Sequence, residues 1–276
     1  MKKFNFKGKT AVVTGAASGI GRQLCINLSK EGCNIIAADI NEKGLTETAK
    51  IVRSLGGNIN CDILDVSNRE KVFTFAQKTT YENNSIDIVM NNAGVAMSDI
   101  SVEDIDFKDF EWIMNVNLWG IVNTAKAFIG ALKKSGDSYL VNTSSIYGIF
   151  AMQNAAAYTT SKFAVRGFSE ALIQELYGTG VNVMTVFPGG IKTNIGRNSK
   201  WLGNPDDIEE QKRQLARFEM SAKTTANNAA VEIIEAMRKR SKRLTIGKDA
   251  RFMDIYVRLN PSGYDGFVRQ HILKNS

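Results

Sequence analysis

Short apolar runs rich in β-branched residues alternate along this chain with longer stretches whose apolar residues recur every three to four positions. The short runs are 9–15 (KTAVVTG), 34–39 (NIIAAD), 58–63 (NINCDI), 86–94 (IDIVMNNAG), 138–145 (SYLVNTSS), 181–190 (VNVMTVFPGG) and 243–247 (RLTIG). Runs of this length and composition predict strands. Their near-continuous apolarity predicts strands covered on both faces. The stretches 21–32, 43–57, 69–82, 108–134, 155–178 and 227–240 predict helices, the first two closed by glycines. Strict strand–helix alternation predicts an α/β fold. It is a Rossmann-type doubly wound parallel sheet of about seven strands, with helices on both faces, in a single domain spanning 1–276. Such sheets bind ligands beyond the carboxyl ends of their strands, so the residues after each strand are where function is sought.

After the first strand comes TGAASGIG, with glycines at 15, 19 and 21. Glycine allows a tight turn and lets backbone approach a phosphate. The helix that follows offers unpaired N–H groups and the positive end of its dipole. A purely structural glycine turn is the alternative. After the second strand comes Asp39, 18 residues past Gly21. A carboxylate at this distance accepts hydrogen bonds from an adenosine ribose and repels a 2′-phosphate. No arginine stands at 40 or 41, and Ser18 is not basic, which favours NAD over NADP. The alternative for Asp39 is a turn residue opening DINEKG. Further on, AAAYTTSKFAV places Tyr158 and Lys162 on one helix face. Tyr/Lys pairs at this spacing also occur on ordinary helices, where the tyrosine is a packed aromatic with a polar handle.

Six motifs in one order resolve these alternatives. The chain resembles the short-chain dehydrogenase/reductase family in its single-domain form, from residue 8 to about 193. The glycine motif is Thr14 to Gly21. Asn91, Asn92, Ala93 and Gly94 follow the fourth strand. Asn117 to Gly120 form N-x-x-G on the next helix. A serine thirteen residues before the tyrosine falls on Ser145 rather than Ser144. Tyr158 to Lys162 give Y-x-x-x-K, and Pro188-Gly189 follow the sixth strand, with Thr193 downstream. Thr159-Thr160-Ser161 depart from the Ser-Ala-Ser often found between tyrosine and lysine.

The resemblance implies a hydride-transferring oxidoreductase acting on a secondary alcohol or ketone, with NAD as cofactor and a small-molecule substrate. Tyr158 becomes the general acid/base. A free tyrosine is too weakly acidic to serve near neutrality, and an ammonium one helical turn away favours its phenolate. Lys162 is placed to do this, and by resemblance it also binds the nicotinamide ribose. Ser145 and Tyr158 would hold the substrate oxygen, and Asn117 would relay protons through water. By resemblance Gly15, Ser18, Gly19 and Gly21 surround the pyrophosphate, Ile20 lies near the pyrophosphate or the nicotinamide, and Asp39 takes the ribose. Asp65 and Val66 contact adenine. Asn92, Ala93 and Gly94 lie near the adenosine ribose. Pro188 and Gly189 also bind the cofactor, and the Ile191 backbone with the Thr193 hydroxyl holds the carboxamide.

Composition narrows the remaining readings. The length of 276 residues, with 43% hydrophobic and 23% charged, suits one globular domain. No apolar run of membrane-spanning length exists, and the apolar AVV near the start is too short for a signal peptide. Cys25, Cys33 and Cys61 lack framework spacing, so reduced thiols in the cytoplasm are expected. With His271 as the lone histidine, no metal site is expected. The +7 net charge lies wholly within 192–276, densest at RKRSKR (238–243). A solvated helix end accounts for it as well as an anionic partner, and no nucleic-acid motif accompanies it. Residues 196–226 read as a substrate lid, and 251–276 as a basic extension supporting a subunit contact, the lid, or a membrane or acyl-chain contact. Val95, Ala96, Met97, Ile146, Phe150, Met152 and Ala155 are candidate pocket walls, and their apolarity points to an apolar substrate. Family members usually associate through the helices near 108–134 and 155–178, so a homo-tetramer or homo-dimer is expected. Lyase, isomerase or epimerase chemistry with bound NAD is the rival activity, and a non-catalytic NAD sensor is the third.

Overall fold

The computed structural model describes residues 3–204 and 206–273 and side chains through 270; Pro205 and 274–276, parts of the expected lid and tail, lie outside the described residues. The chain alternates β1 (Thr10–Thr14), α1 (Gly19–Lys30), β2 (Asn34–Asp39), α2 (Glu42–Ser54), β3 (Ile59–Ile63), α3 (Arg69–Glu82) and β4 (Ile88–Asn91). It continues through α4 (Phe107–Met114), α5 (Gly120–Ser135), β5 (Ser138–Thr143), α6 (Ala156–Glu175) and β6 (Val181–Pro188). The last part holds β7 (Ile191–Lys192), α7 (Ile208–Ser221), β8 (Thr224–Thr225), α8 (Ala226–Arg238), β9 (Arg243–Ile246), α9 (Lys248–Leu259) and α10 (Tyr264–Phe267). The main sheet is parallel throughout, in the order β3-β2-β1-β4-β5-β6-β9. This is the doubly wound sheet of seven strands expected from the sequence.

The near-continuous apolarity of the strands has its reason in the two cores. Ala11, Val13, Ile35, Ala37, Ile88, Met90, Tyr139 and Val141 face one core, with Leu24 of α1 and Ile233 of α8. The intervening Val12, Ile36, Ala38, Val89 and Leu140 face the other, with Phe75 of α3, Phe128 of α5 and Leu172 of α6. Alternate residues of one strand point to opposite faces, so both sets must be apolar.

Three differences from the sequence reading matter. The single helix expected over 108–134 is α4 and α5 joined by a π-helical turn, Asn115–Trp119. Such single turns insert one extra residue and concentrate at functional sites; this one carries Asn117 inward, fully buried. The strands expected at 86–94, 138–145 and 181–190 stop earlier, at Asn91, Thr143 and Pro188, which frees the residues beyond them to form loops. A two-stranded parallel ladder, β7 with β8, had no sequence signal at two residues per strand.

The basic cluster is knit into the fold. Arg238 pairs with Glu31 at 2.8 Å and Glu235 at 3.1 Å. Arg240 pairs with Asp137 at 2.8 Å, and Arg243 with Asp254 at 2.6 Å while stacking over Phe187 at 4.0 Å. Among the described residues no helix is long and apolar enough to cross a membrane, and no group of His, Cys, Asp or Glu could hold a metal ion.

Candidate active site

The β1–α1 turn is built around positive-φ glycines. Gly15 has φ +67°, and a Cβ there would lie 2.8 Å from Cα of Ala93. Gly19 has φ +53°, and a Cβ there would lie 3.1 Å from the methyl of Thr193. At Gly21 an added Cβ would strike the Gly15 carbonyl. The glycine turn, the segment after β4 and the segment after β6 therefore meet at the carboxyl edge of the sheet. Ser18 is the N-cap of α1, extended at φ −157°, and its side chain makes no capping bond. By contrast, Asn41 and Asn68 cap α2 and α3. The first amides of α1 thus meet no capping side chain, which suits a phosphate. Ile20 packs half-buried against the core beneath.

Thr14, given no role of its own beyond opening the glycine motif, stitches this turn. Its hydroxyl donates to the Met90 carbonyl at 3.3 Å and accepts from the amides of Asn92 at 3.1 Å and Ala93 at 3.2 Å. The Asn92 side chain returns bonds to the carbonyls of Thr14 and Gly15, at 3.3 and 3.4 Å. Its place as the last residue of β1, just before Gly15, was the available signal.

Asp39 serves the turn that its second sequence reading expected. Its two oxygens accept from Ala17 N and Asn41 N, each at 2.9 Å, which braces the turn. Each oxygen keeps a lone pair for a further donor. Nearby Arg22 is committed to Glu47 at 2.9 Å, to Thr48 at 3.0 Å, and to the carbonyls of Ala17 and Gly44. Asp65 uses one oxygen on Ser67, at 2.9 Å to the amide and 2.6 Å to the hydroxyl. Val66 is buried against Gly120, where an added Cβ would come within 2.6 Å of its side chain. The N-x-x-G glycine is therefore a close-packing requirement.

The four catalytic candidates converge from three elements. Ser145 follows β5 and caps the 3₁₀ turn Ile146–Gly148, accepting from Tyr147 N at 3.2 Å. Its hydroxyl lies close enough to that of Tyr158 on α6 to draw the tyrosine pKa down. Ser144 points elsewhere and donates to the Lys162 carbonyl at 2.8 Å. The thirteen-residue spacing therefore selects the serine that meets the tyrosine. Lys162 is buried; its Nζ donates to the Thr143 carbonyl at 3.3 Å and lies 5.6 Å from the Tyr158 ring centroid. Asn117 locks to Val95, accepting from N at 2.8 Å and donating to O at 3.0 Å, with a second donated bond to Ser161 at 3.2 Å. A Cβ on Gly94 would lie 3.2 Å from Asn117 Oδ1 and 3.4 Å from Lys162 Nζ, so this glycine keeps the space beside both polar groups open.

The charge balance differs from the sequence expectation that Lys162 lowers the Tyr158 pKa. Burial pushes the Tyr158 hydroxyl up, and the Ser145 hydrogen bond pulls it back down. The Lys162 ammonium is itself driven down to about 8 by burial, which weakens its hold on the charge that would stabilise a phenolate.

The expected pocket walls divide. Phe150 is buried at 2% exposure and forms a cluster with Met253 and Val268, joined by Ile146, Tyr147 and Met152. It backs the wall rather than lining it, because Tyr147 stands edge-on between its ring and that of Tyr158, at centroid distances of 5.6 and 5.8 Å. The C-terminal helices thus support the loop after Ser145. Ala96, Met97 and Ser98 lie against the 196–226 segment: Lys200 N bonds the Ala96 carbonyl at 3.1 Å, and Ser98 N bonds the Lys200 carbonyl at 2.9 Å. Lys200 Nζ is paired with Asp109, and Gln214 of α7 accepts from Asp99 N at 3.1 Å. After β6, Gly189 N donates to the Ile246 carbonyl at 2.9 Å, and Ile191 pairs with Thr224.

A parallel doubly wound sheet whose glycine turn, buried asparagine, serine, tyrosine and lysine gather at one carboxyl edge defines a class of protein. Residues 9–201 match the short chain dehydrogenase family, and the chain belongs to it, an enzyme of that family. The protein named SadH of Mycobacterium tuberculosis, described as an oxidoreductase, is 38% identical over 277 residues, covering 98% of this chain and 97% of that one. A short-chain dehydrogenase/reductase from Burkholderia phymatum, solved with NAD, is 26% identical with a TM-score of 0.86, covering 95% and 96% of the two chains. A structure from Beutenbergia cavernae, named as an NAD(P)-dependent gluconate 5-dehydrogenase with NADP at low occupancy, is 25% identical with a TM-score of 0.74. It covers 88% of this chain and 96% of that one.

Proposed function

We propose that this chain interconverts an apolar secondary alcohol and its ketone with NAD(H), using Tyr158 as general acid/base. One observation carries the reading: the Ser145 hydroxyl lies near that of Tyr158, and Lys162 lies one turn along beside the same ring, next to a glycine cradle. The cradle fits a dinucleotide. Side chains at Gly15, Gly19 or Gly94 would fill it, and the α1 N-terminus has no side-chain cap. NAD(H), when bound, supplies the two-electron acceptor or donor.

The chain's own groups then have defined tasks. In the oxidation direction, Ser145 donates a hydrogen bond to the substrate oxygen, and Tyr158 takes the hydroxyl proton at its phenolic oxygen. The proton returns from the same atom in reduction. Lys162 Nζ holds the nicotinamide ribose and favours the phenolate. Asn117, locked on Val95, fixes the path by which water passes protons toward Lys162. Ser18, Ile20 and the α1 amides hold the pyrophosphate, Asp39 the adenosine ribose, Asp65 and Val66 the adenine, and Ile191 and Thr193 the carboxamide. Asp39 selects NAD over NADP.

The apolar wall of Ile146 and Met152 supports an apolar substrate, and residues 196–226 act as its lid, docked on Ala96–Asp99. Exposed Phe107, Trp119 and Phe163, on or beside α4, α5 and α6, support a homo-dimer or homo-tetramer. Three free cysteines, two of them buried, support a reducing cytoplasmic setting.

The test is a panel of secondary alcohols and ketones, assayed with NAD(H) and NADP(H) through the absorbance of the reduced cofactor. The reading predicts NAD-dependent turnover. Cofactor binding without turnover of any member would instead favour lyase, isomerase or epimerase chemistry.

A further inference from the structure

The turn after β6 is held by a residue outside the motifs above. Asp249, in the first turn of α9, accepts from Gly190 N through Oδ2 at 2.7 Å. An added Cβ at Gly189 or at Gly247 would strike the same carboxylate, so both glycines leave room for it. Gly247 has φ +96°, a conformation that turns the chain from β9 into α9 and brings Asp249 back over the turn. On its other side Gly190 O accepts from Thr224 N at 3.2 Å, and Ile191 pairs with Thr224. The segment from Gly189 to Thr193 is thus clamped between α9 and β8. Its far end, Thr193, rests on Gly19 of the glycine turn.

We propose that Asp249 is a positioning residue for the nicotinamide end of the cofactor, and that it acts through the Gly189–Gly190 turn. The inference rests on the reading of Ile191 and Thr193 as carboxamide contacts. A carboxylate–amide hydrogen bond is charge-assisted and stronger than a neutral one. Losing it lets the turn move, and with it the two residues that meet the carboxamide. Asp249 bonds Gly190 after β6, whereas the proposed adenosine and pyrophosphate contacts stand at the ends of β1, β2, β3 and β4 and at the start of α1. The effect therefore falls first on the nicotinamide half of the dinucleotide, which a general loss of stability would not produce.

The experiment titrates the cofactor-free protein with NADH and with ADP-ribose, which lacks the nicotinamide. Wild type binds both if the dinucleotide reading is right; failure of wild type to bind either refutes that reading and not the clamp. Asp249→Ala should weaken NADH about tenfold or more and leave ADP-ribose within about twofold. Asp249→Asn keeps an oxygen for Gly190 N and should recover most of the NADH affinity. Arg251→Ala, on the same helix, breaks the exposed pair of Arg251 with Glu232 of α8 and should change neither. Unchanged NADH affinity in Asp249→Ala, or an equal loss for ADP-ribose, overturns the proposal.

Discussion

Replacing Asp39 by Ala tests how this chain chooses its cofactor. The carboxylate cannot swing away from a 2′-phosphate, because both oxygens are held at 2.9 Å by the amides of Ala17 and Asn41. Two unit charges about 4 Å apart repel by about 4 kcal/mol at an effective dielectric near 20. Solvent and counterions reduce this, and a preference of about tenfold, or about 1.4 kcal/mol, survives. Arg22 offers no compensation, since Glu47, Thr48 and two carbonyls occupy it. The arginines of 238–243 are paired at the amino end of the sheet, with Glu31, Asp137 and Asp254, whereas Asp39 stands at the carboxyl end of β2. The substitution also frees two backbone amides, at about 1 kcal/mol each, but both cofactors share that loss. The ratio of kcat/KM with NAD to kcat/KM with NADP therefore isolates the charge. Wild type should favour NAD by at least about tenfold, and the Ala variant should move the ratio toward NADP by a similar factor. Equal use of the two cofactors by wild type, or a ratio unmoved in the variant, would refute the reasoning.

Further outcomes follow from the same geometry. Ser145→Ala should lower kcat by about 10²–10³, as loss of one preorganised donor does. Ser144→Ala removes the bond to the Lys162 carbonyl and should cost about 1–2 kcal/mol in denaturant unfolding while keeping kcat within about fivefold; the reverse pattern would reassign the serine. Lys162 has a folded pKa depressed to about 8, so its buried charge penalises the fold fully below that pH. The penalty is relieved as pH rises from about 8 toward the unfolded value near 10.4. Over that window wild type should gain stability relative to Lys162→Met by about 1.4 kcal/mol per pH unit, measured by denaturant unfolding of the cofactor-free proteins. A flat difference would contradict the burial of the ammonium.

The parts of the fold legible in the sequence were those with local causes. Strands buried on both faces must be apolar at every position, and helices ending at glycine signal their own stops. The serine register was legible because spacing along a strand–turn–helix unit fixes which hydroxyl reaches Tyr158. The contacts of Thr14 and Asp249 were not, since each acts on backbone distant in sequence: Asn92 and Ala93 for one, Gly190 for the other. Phe150 was placed on the pocket wall because the sequence could not reveal that Met253 and Val268 close behind it. The direction of the Tyr158 shift was missed for a related reason. A motif supplies the charged neighbour but not the depth at which both groups are buried.

The most direct test of the account is single-site replacement of Tyr158 by Phe, with turnover and NADH binding measured on the same preparation. The ring keeps its edge-on packing against Tyr147, and only the hydroxyl that meets Ser145 is lost. A positioned general acid/base contributes about 10²–10⁴-fold. The account predicts that kcat falls by at least about a hundredfold while NADH affinity stays within a few-fold of wild type. A variant that keeps more than about a tenth of wild-type kcat would contradict the role assigned to Tyr158.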